Sequence, residues 1–193
     1  MNKIFTKNIE HESAVKHVTG KAIYTDDISE PKNLLHAVIG YSNCSKGVIK
    51  KIDYKDVLSS EGVVDIITEK DIEGINDVGP IFKGDKIFTS KNIEYYGQPI
   101  FAVIAKTNNL AKKAALKVKI DLKISKPIVS IEEALKKKSF VLKPKHLTRG
   151  NIKDGFKKSD NILKGKLYSG GQDHFYLEGQ IAMTIPQEDN NFL

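Results

Sequence analysis

The chain has 193 residues with 40% hydrophobic side chains and a mean hydropathy of −0.32, a composition that excludes fibrous, collagen-like and disordered proteins. Its formal net charge of +7 comes almost wholly from lysine, since Arg149 is the single arginine among 31 basic residues. Sequence-reading nucleic-acid sites depend on guanidinium groups for bidentate contacts, so we expect a solvated lysine-rich surface and no nucleic-acid partner.

Two further features bear on where the protein resides. No stretch approaches the roughly 20 apolar residues that a membrane-spanning helix requires, and residues 1–10 lack the apolar run of a signal peptide. Cys44 is the only cysteine, so no intramolecular disulfide can form. We therefore expect a protein of the cytoplasm without membrane contact.

The first half of the chain predicts short strands around one short helix. We expect strands at residues 34–41, 48–52 and 63–68, a short helix within residues 54–60, and a loop over residues 76–85. Thr68 and Asp71 are spaced as the cap of a brief helical turn that follows the third strand. The alternation of short strands with helical turns indicates a mixed α and β fold.

The middle of the chain has the clearest pattern. Residues 99–105 (PIFAVIA) predict an apolar strand, and Thr107 then supplies a cap oxygen for a helix with one apolar face. From residue 118 to residue 124 the apolar period changes from helical to alternating, which predicts another strand and closes a β-α-β unit. Ser130 and Glu133 form a predicted capping box for a short helix over residues 131–138.

The C-terminal part predicts the start of another domain. Residues 143–158 have the composition of a connecting segment. Residues 162–168 and 175–186 predict two strands of a hairpin joined by a turn at residues 169–171, and Phe192 would begin a further strand. About thirty residues cannot bury a core of their own, so we expect this part to be truncated or dependent on another chain.

The titratable residues indicate neither a protein-ligated metal nor a catalytic pair. The five histidines do not form an H-x-x-x-H pattern; they are His11, His17, His36, His146 and His174. Asp26 and Asp27 are adjacent and would point to opposite sides of an extended chain, which favours a turn or capping role. Cys44 lies in a predicted exposed turn without a nearby histidine, so we expect a thiol without catalytic function.

The polar segment that starts at Gly170 remains as a candidate site. The sequence has no Walker-type loop and no G-x-G-x-x-G motif, which argues against a bound nucleotide. Two glycines precede Gln172, Asp173 and His174, and backbone without side chains can approach a ligand closely. From these residues alone, both a ligand-facing loop and a hairpin turn with solvated polar groups remain open.

Several motifs together resemble one enzyme family. Residues 170–180 (GGQDHFYLEGQ) resemble the Gly-Gly-Gln-(Glu/Asp)-His-Phe-Tyr-Leu-Glu motif of the xanthine dehydrogenase and aldehyde oxidase family of molybdenum hydroxylases. Residues 13–27 are similar to the first segment of the molybdenum-binding subunit in bacterial xanthine dehydrogenases. Three further segments also resemble family motifs, and all five segments together cover most of the chain in the expected order. The three are residues 74–80 (GINDVGP), 94–99 (EYYGQP) and 146–150 (HLTRG).

The resemblance implies an α+β fold with a defined organisation. Residues 1–19 would be an N-terminal segment, and residues 20–125 the α/β hammerhead domain of the family. Residues 126–160 would be a connecting segment, and residues 161–193 the truncated start of the molybdopterin-binding domain.

The resemblance also implies the cofactors and the site residues. Molybdenum would be held by molybdopterin and not by protein side chains, with 2Fe-2S clusters and FAD on other domains or subunits. Gln172 matches the family glutamine whose amide approaches an oxygen ligand of the molybdenum, and Gly171 matches the glycine beside it. His174 would bond locally, and residues 175–178 would pack and position the loop. The family's catalytic glutamate lies beyond residue 193, so no catalytic residue is assigned.

The functional interpretation follows from this resemblance. The chain would be the N-terminal fragment of a xanthine dehydrogenase molybdenum-binding subunit, whose parent enzyme hydroxylates purines such as xanthine and hypoxanthine and passes electrons to NAD. Its partners would be the remainder of that subunit and an iron-sulfur/FAD subunit in a hetero-oligomer, and we expect the fragment alone to be inactive. The missing remainder could reflect a shortened recombinant protein, a split gene or a decayed reading frame. An aldehyde oxidase-type enzyme and a non-enzymatic hammerhead module that docks onto an acidic partner are the alternatives.

Overall fold

The computed structural model describes residues 10–193 and divides the chain into two compact units. The first, here called the sheet unit, is Lys32–Arg149. The second, here called the terminal unit, combines Met1–Pro31 with Gly150–Leu193. The domain boundaries expected after residues 19, 125 and 160 stay a prediction.

Six strands form two antiparallel sheets in the sheet unit. The strands are β1 (His36–Tyr41), β2 (Gly47–Asp53), β3 (Val63–Ile67), β4 (Asn92–Ile93), β5 (Pro99–Ala105) and β6 (Lys119–Ile124). One sheet has the order β1-β5-β3 and the other the order β4-β2-β6. All these strands except the two-residue β4 were expected from the apolar patterns.

Five α-helices accompany the strands in the described residues. They are α1 (Ala14–Val18), α2 (Lys55–Leu58), α3 (Asn108–Ala115), α4 (Ile131–Lys137) and α5 (Ile152–Lys157). The predicted N-caps are confirmed, because the Thr107 hydroxyl accepts from Leu110 N at 3.3 Å and the Ser130 hydroxyl from Glu133 N at 3.2 Å. The full capping box expected for Ser130 is not formed, since the Glu133 carboxylate pairs with Lys137 at 2.7 Å. The helices α1 and α5 were not predicted, since both are short and neither has a buried face.

The core of the sheet unit lies around β5. Five of its seven residues are buried, and Phe101 has no exposed surface. Helix α3 packs on β1 and β5 and buries Ala111 and Ala114, as its apolar spacing predicts. The ring of Tyr54 meets the ring of Phe101 edge-on, with centroids 5.3 Å apart. This aromatic pair packs the end of β2 on the central strand of the other sheet.

The prediction that β5, α3 and β6 form a β-α-β unit is wrong. The structure places β5 between β1 and β3, and it pairs β6 with β2 in the other sheet. The strand β5 is buried on both faces, whereas β6 alternates between half-buried and exposed residues. A half-exposed strand fits the margin of the second sheet, where Asp53 faces Lys119 and Lys51 faces Asp121 across the ladder.

The EYYGQP motif forms the tight connection between β4 and β5. Gly97 has a φ of 81°, a left-handed conformation that favours glycine. Gln98 is 4% exposed, and its side-chain oxygen accepts a hydrogen bond from Glu94 N at 2.8 Å. The Ser42 amide donates to the Gln98 carbonyl at 2.8 Å, which ties the connection to the end of β1. The motif is therefore a structural element of the sheet unit.

The GINDVGP motif organises the long loop between β3 and β4. The Asn76 side chain accepts from Phe88 N at 3.0 Å and donates to Phe88 O at 2.8 Å. Asp77 accepts from the amides of Gly84 and Gly79 at 2.6 and 2.8 Å. These hydrogen bonds to the charged form hold the pKa of the Asp77 carboxyl below its usual value. The side chains of Asn76 and Asp77 thus hold this loop by hydrogen bonds to its backbone, because residues 76–88 belong to no strand.

Cys44 is buried, contrary to the exposed turn expected for it. Its side chain belongs to the core cluster, because the turn between β1 and β2 folds inward. The Ser42 hydroxyl holds that turn by donating to the Cys44 carbonyl at 2.8 Å and accepting from the Cys44 amide at 3.2 Å. Burial agrees with a thiol that has no chemical role.

The predicted C-terminal hairpin is also wrong. Residues 158–184 contain no strand, and the described pairing in this region is an isolated bridge between Pro186 and Phe192. The strand pattern is present in the sequence, but the backbone of residues 160–184 makes no backbone–backbone hydrogen bond within the described chain. Because a strand requires a hydrogen-bonded partner, the segment stays irregular. No helix among residues 10–193 is long and apolar enough to cross a bilayer.

Substitution of Gly40 tests the packing at β5. A Cβ at this position would overlap the Phe101 ring, so we expect Gly40→Ala to lower the free energy of unfolding by about 1–3 kcal/mol. Urea denaturation followed by circular dichroism measures the change. Gly74→Ala is the matched control, since no atom lies within 4 Å of the added Cβ. An equal effect of the two substitutions would contradict the proposed packing.

The Asp77 carboxylate predicts acid sensitivity of the loop. Its pKa in the folded protein lies below the usual value for an aspartate, so its stabilising effect is present above the pKa of the unfolded chain and is lost as the pH falls through the folded pKa. We expect Asp77→Asn to have a lower Tm than the parent chain at pH 6 and the same Tm near pH 2. Thermal melts across this range test this, with the exposed Glu73→Gln as the control. A Tm difference that is independent of pH would show that the charge of Asp77 plays no part.

Candidate functional site

The predicted site residues Gly171 and Gln172 lie on an exposed stretch of the terminal unit. Every residue from Gly150 to Gln180 is exposed, and no hydrogen bond of the Gln172 side chain occurs within the described chain. A Cβ built on Gly170 or Gly171 would meet no atom within 4 Å. The glycines therefore leave open space beside the Gln172 carboxamide, which can both donate and accept hydrogen bonds.

The residues after Gln172 form no strand, and a few contacts within the segment describe their conformation. Phe175 has a φ of 50°, and its amide points at the Asp173 carboxylate at 3.5 Å. The rings of His174 and Tyr176 are stacked, with centroids 5.5 Å apart and an angle of 2° between their planes. The expected local interaction of His174 is thus an aromatic stack.

The N-terminal motif, residues 13–27, contacts the same segment. Asp27 caps a 3₁₀ turn over Thr25–Asp27 by accepting from Tyr24 N at 3.0 Å, which confirms the capping role expected for it. The Tyr24 hydroxyl pairs with His17 Nδ1 at 2.9 Å. Thr25 N donates to Glu178 Oε1 at 2.9 Å across 153 residues of sequence. Two of the recognised motifs therefore meet within the terminal unit.

The apolar side chains around Gln172 are exposed, so the packing expected for residues 175–177 does not occur within this chain. Phe175 is 90% exposed, and Leu163 is 99% exposed. The other large apolar side chains nearby behave in the same way: Leu167, Tyr168, Tyr176 and Leu177. Many exposed large apolar side chains along one segment are typical of a surface that contacts other protein.

The described residues fit a cofactor that brings its own metal ligands. No group of three or more His, Cys, Asp or Glu side chains that could hold a metal occurs within residues 10–193. Gln172 offers a neutral carboxamide in open space, and a neutral donor suits an oxygen atom bound to a metal. Gly170 and Gly171 allow close approach of backbone to a bulky ligand. These residues can contact and orient a metal cofactor but cannot ligate the metal.

One depression of the sheet unit contains titratable side chains outside the family motifs. It has a volume of about 290 Å³, lies between β2 and the 3₁₀ turn Glu69–Asp71, and includes Tyr54. Burial, assisted by the negative charge of Asp71, raises the pKa of Tyr54 to about 12, so its hydroxyl stays protonated at neutral pH. Glu69 Oε2 is buried there without a hydrogen-bond partner in the described chain. Neither Glu69 nor Tyr54 belongs to a motif of the family resemblance, so we assign this depression no role in the site.

The sequence interpretation missed the specific role of Glu178 and assigned none to Gln98 or Asp77. Glu178 was grouped with its apolar neighbours, although a charged residue after three apolar ones indicates a polar contact at that point. Gln98 and Asp77 belong to recognised motifs and serve the fold through buried or paired hydrogen bonds. The glycine neighbours of both residues are the signal that could have revealed such turns.

Two family models match the chain. The model described as aldehyde oxidase and xanthine dehydrogenase, a/b hammerhead domain, matches residues 19–126. The model described as molybdopterin cofactor-binding domain matches residues 132–193. Together they cover nearly all of the described chain.

Relatives of both enzyme types are similar to the chain. Aldehyde oxidase 2 of Rattus norvegicus is 37% identical over 186 residues, which are 96% of this chain and 14% of that protein. Xanthine dehydrogenase of Dictyostelium discoideum is 37% identical over 183 residues, which are 95% of this chain and 13% of that protein. The chain thus spans about one seventh of the length of these relatives.

A solved structure has the same fold. The aldehyde oxidoreductase of Desulfovibrio desulfuricans superposes with a TM-score of 0.57 and 33% sequence identity, over 66% of this chain and 15% of that one. Sequence and structure therefore confirm the resemblance and the α+β fold class. The chain belongs to the aldehyde oxidase and xanthine dehydrogenase family, of which it carries the α/β hammerhead domain and the start of the molybdopterin cofactor-binding domain.

Proposed function

We propose that this chain is part of a xanthine dehydrogenase-type molybdenum hydroxylase and that it contributes Gln172 to the surroundings of the molybdenum cofactor. The single observation that carries the proposal is the exposed Gly170–Gly171–Gln172 stretch within the region matched by the molybdopterin cofactor-binding model. An exposed carboxamide flanked by glycines is suited to a large ligand that is held mainly by other parts of the complete protein.

The residues of this chain have a limited role in that reaction. When bound, the cofactor supplies the two-electron oxidation and the oxygen transfer. The Gln172 carboxamide would donate a hydrogen bond to the bound cofactor, and Gly171 would leave the approach free of side chains. The resemblance places the proton-accepting glutamate in the remainder of the subunit, so we assign no such role to a carboxylate of this chain. We therefore propose that the isolated chain is inactive.

The proposed substrate is a purine such as xanthine or hypoxanthine. The sequence of residues 170–178 resembles the motif of the xanthine dehydrogenase branch more than that of the aldehyde oxidase branch. This similarity supports a purine over an aldehyde as the substrate. Relatives named aldehyde oxidase and xanthine dehydrogenase have equal identity to the chain, so an aldehyde is the competing substrate. The residues that distinguish the two substrates would belong to the remainder of the subunit.

The proposed partners follow from the exposed surface of the terminal unit. Apolar side chains such as Leu163 and Phe175 would be covered by the remainder of the molybdenum-binding subunit. An iron-sulfur/FAD subunit would carry electrons from the site to NAD, and the whole would be a hetero-oligomer of the cytoplasm. The single buried thiol, Cys44, is consistent with a reducing compartment.

Metal content of the native protein tests the proposal. The chain is purified from its own cells under mild conditions, and molybdenum per polypeptide is measured by elemental mass spectrometry. Near-stoichiometric molybdenum together with NAD reduction by xanthine supports the proposed function. Activity with benzaldehyde but not with xanthine supports the aldehyde alternative. Native protein without molybdenum would contradict the proposed enzyme function and support the alternative, a non-enzymatic hammerhead module that binds a partner.

Substitution of Gln172 tests its role within that complex. We expect Gln172→Ala to lower kcat by about 10–100-fold, because a lost hydrogen bond to a cofactor oxygen changes its reactivity. The thermal unfolding of the chain should not change, since the Gln172 side chain is exposed and unpaired in the described chain. Steady-state kinetics and calorimetry provide the two measurements.

A second glutamine provides the matched control. Gln180 is exposed on the same segment, and we expect Gln180→Ala to leave both kcat and Tm unchanged. A Tm loss of several degrees in Gln172→Ala would assign a structural role to this residue and contradict the proposal.

A further inference from the structure

Two distant segments of the terminal unit are joined by one side chain. Thr25 N donates a hydrogen bond of 2.9 Å to Glu178 Oε1, and the two residues are 153 positions apart in sequence. The acceptor is a carboxylate, and hydrogen bonds to a charged acceptor are stronger than those between neutral groups. Both residues lie in motifs of the family resemblance, yet neither has a role in the function proposed above.

The donor, Thr25 N, lies in a turn that is held by hydrogen bonds of its own. Tyr24 N donates to Asp27 Oδ2, and Asp27 N donates to Tyr24 O, each at 3.0 Å. The Tyr24 hydroxyl is held by His17 at 2.9 Å. Thr25 N is the first amide of the 3₁₀ turn and has no acceptor within it, so an external acceptor is required. Glu178 supplies that acceptor at a defined position.

The chain between Gln172 and Glu178 is short and makes several contacts within itself. Phe175 holds a left-handed conformation, the His174 and Tyr176 rings stack, and the Phe175 amide faces Asp173. Upstream of Gln172, by contrast, Gly170 and Gly171 have no neighbours within 4 Å of a built Cβ. The contacts of this segment thus lie on the C-terminal side of Gln172, and among them the hydrogen bond from Thr25 N to Glu178 reaches another part of the chain.

We propose that Glu178 is a positioning residue, which anchors the segment bearing Gln172 to the Tyr24–Asp27 turn. The N-terminal motif then has the function of a template that fixes where the Gln172 carboxamide lies within the terminal unit. The inference rests on the proposed function only for the identity of the ligand that the Gln172 carboxamide would contact. The anchoring itself is a property of this chain.

Amide measurements on the ¹⁵N-labelled 193-residue chain test the anchor. We expect Glu178→Ala to accelerate hydrogen exchange of the Thr25 amide by about 3- to 10-fold, the range for loss of one hydrogen bond. The order parameter of the Gln172 amide should fall below about 0.6, as in flexible backbone. Glu178→Gln keeps an acceptor oxygen of the same reach, so it should restore most of both values.

The controls separate the anchor from general effects. Glu188→Ala removes an exposed glutamate from the same unit and should leave Thr25 and Gln172 unchanged. Amides of β5 in the sheet unit report whether each variant is folded, because this strand is buried.

Two results would overturn the inference. Thr25 exchange that is the same in Glu178→Ala and in the parent chain would show that the contact is absent. Faster Thr25 exchange with an unchanged Gln172 order parameter would show a contact without a positioning role. Neither readout involves molybdenum, so a failure of the proposed function, seen as native protein without metal, is recognised separately.

Discussion

The close packing of the Phe101 ring on the bare backbone of Gly40 is the contact on which the sheet unit depends. Phe101 has no exposed surface, and a Cβ at Gly40 would occupy the volume of its ring. The same ring receives the edge of Tyr54 from the end of β2. One side chain on the central strand thus joins both sheets, and close-packed interiors tolerate no change of volume at such a point.

The terminal unit has the opposite distribution of apolar surface. Its residues from Gly150 to Gln180 are exposed, including large side chains such as Leu163 and Phe175. What order it has comes from polar contacts: the capped turn at Tyr24–Asp27 and the carboxylate of Glu178. Hydrogen bonds specify geometry, but they contribute less stability than apolar burial. This distribution suits a segment that is completed by further protein.

Two glycine–glutamine motifs in the chain illustrate how context determines the use of the same residue types. In the connection between β4 and β5, Gly97 makes the turn and the buried Gln98 carboxamide closes it by accepting from Glu94. In the terminal unit, Gly171 precedes Gln172, whose carboxamide is exposed and has no partner in the described chain. A buried amide must be satisfied internally, whereas an exposed one is available to a ligand.

The sequence by itself determined the local elements and the family. Apolar period and caps predicted β1, β2, β3, β5, β6 and α3, because these signals act over a few residues, and the motif around Gln172 identified the relatives. Tertiary structure decided that β5 and β6 lie in different sheets, that Cys44 is buried, and that residues 162–186 form no hairpin. It also decided that Glu178 contacts Thr25. Strand pairing and long-range hydrogen bonds depend on which backbone lies alongside, and a pattern within one segment carries no information about its partner.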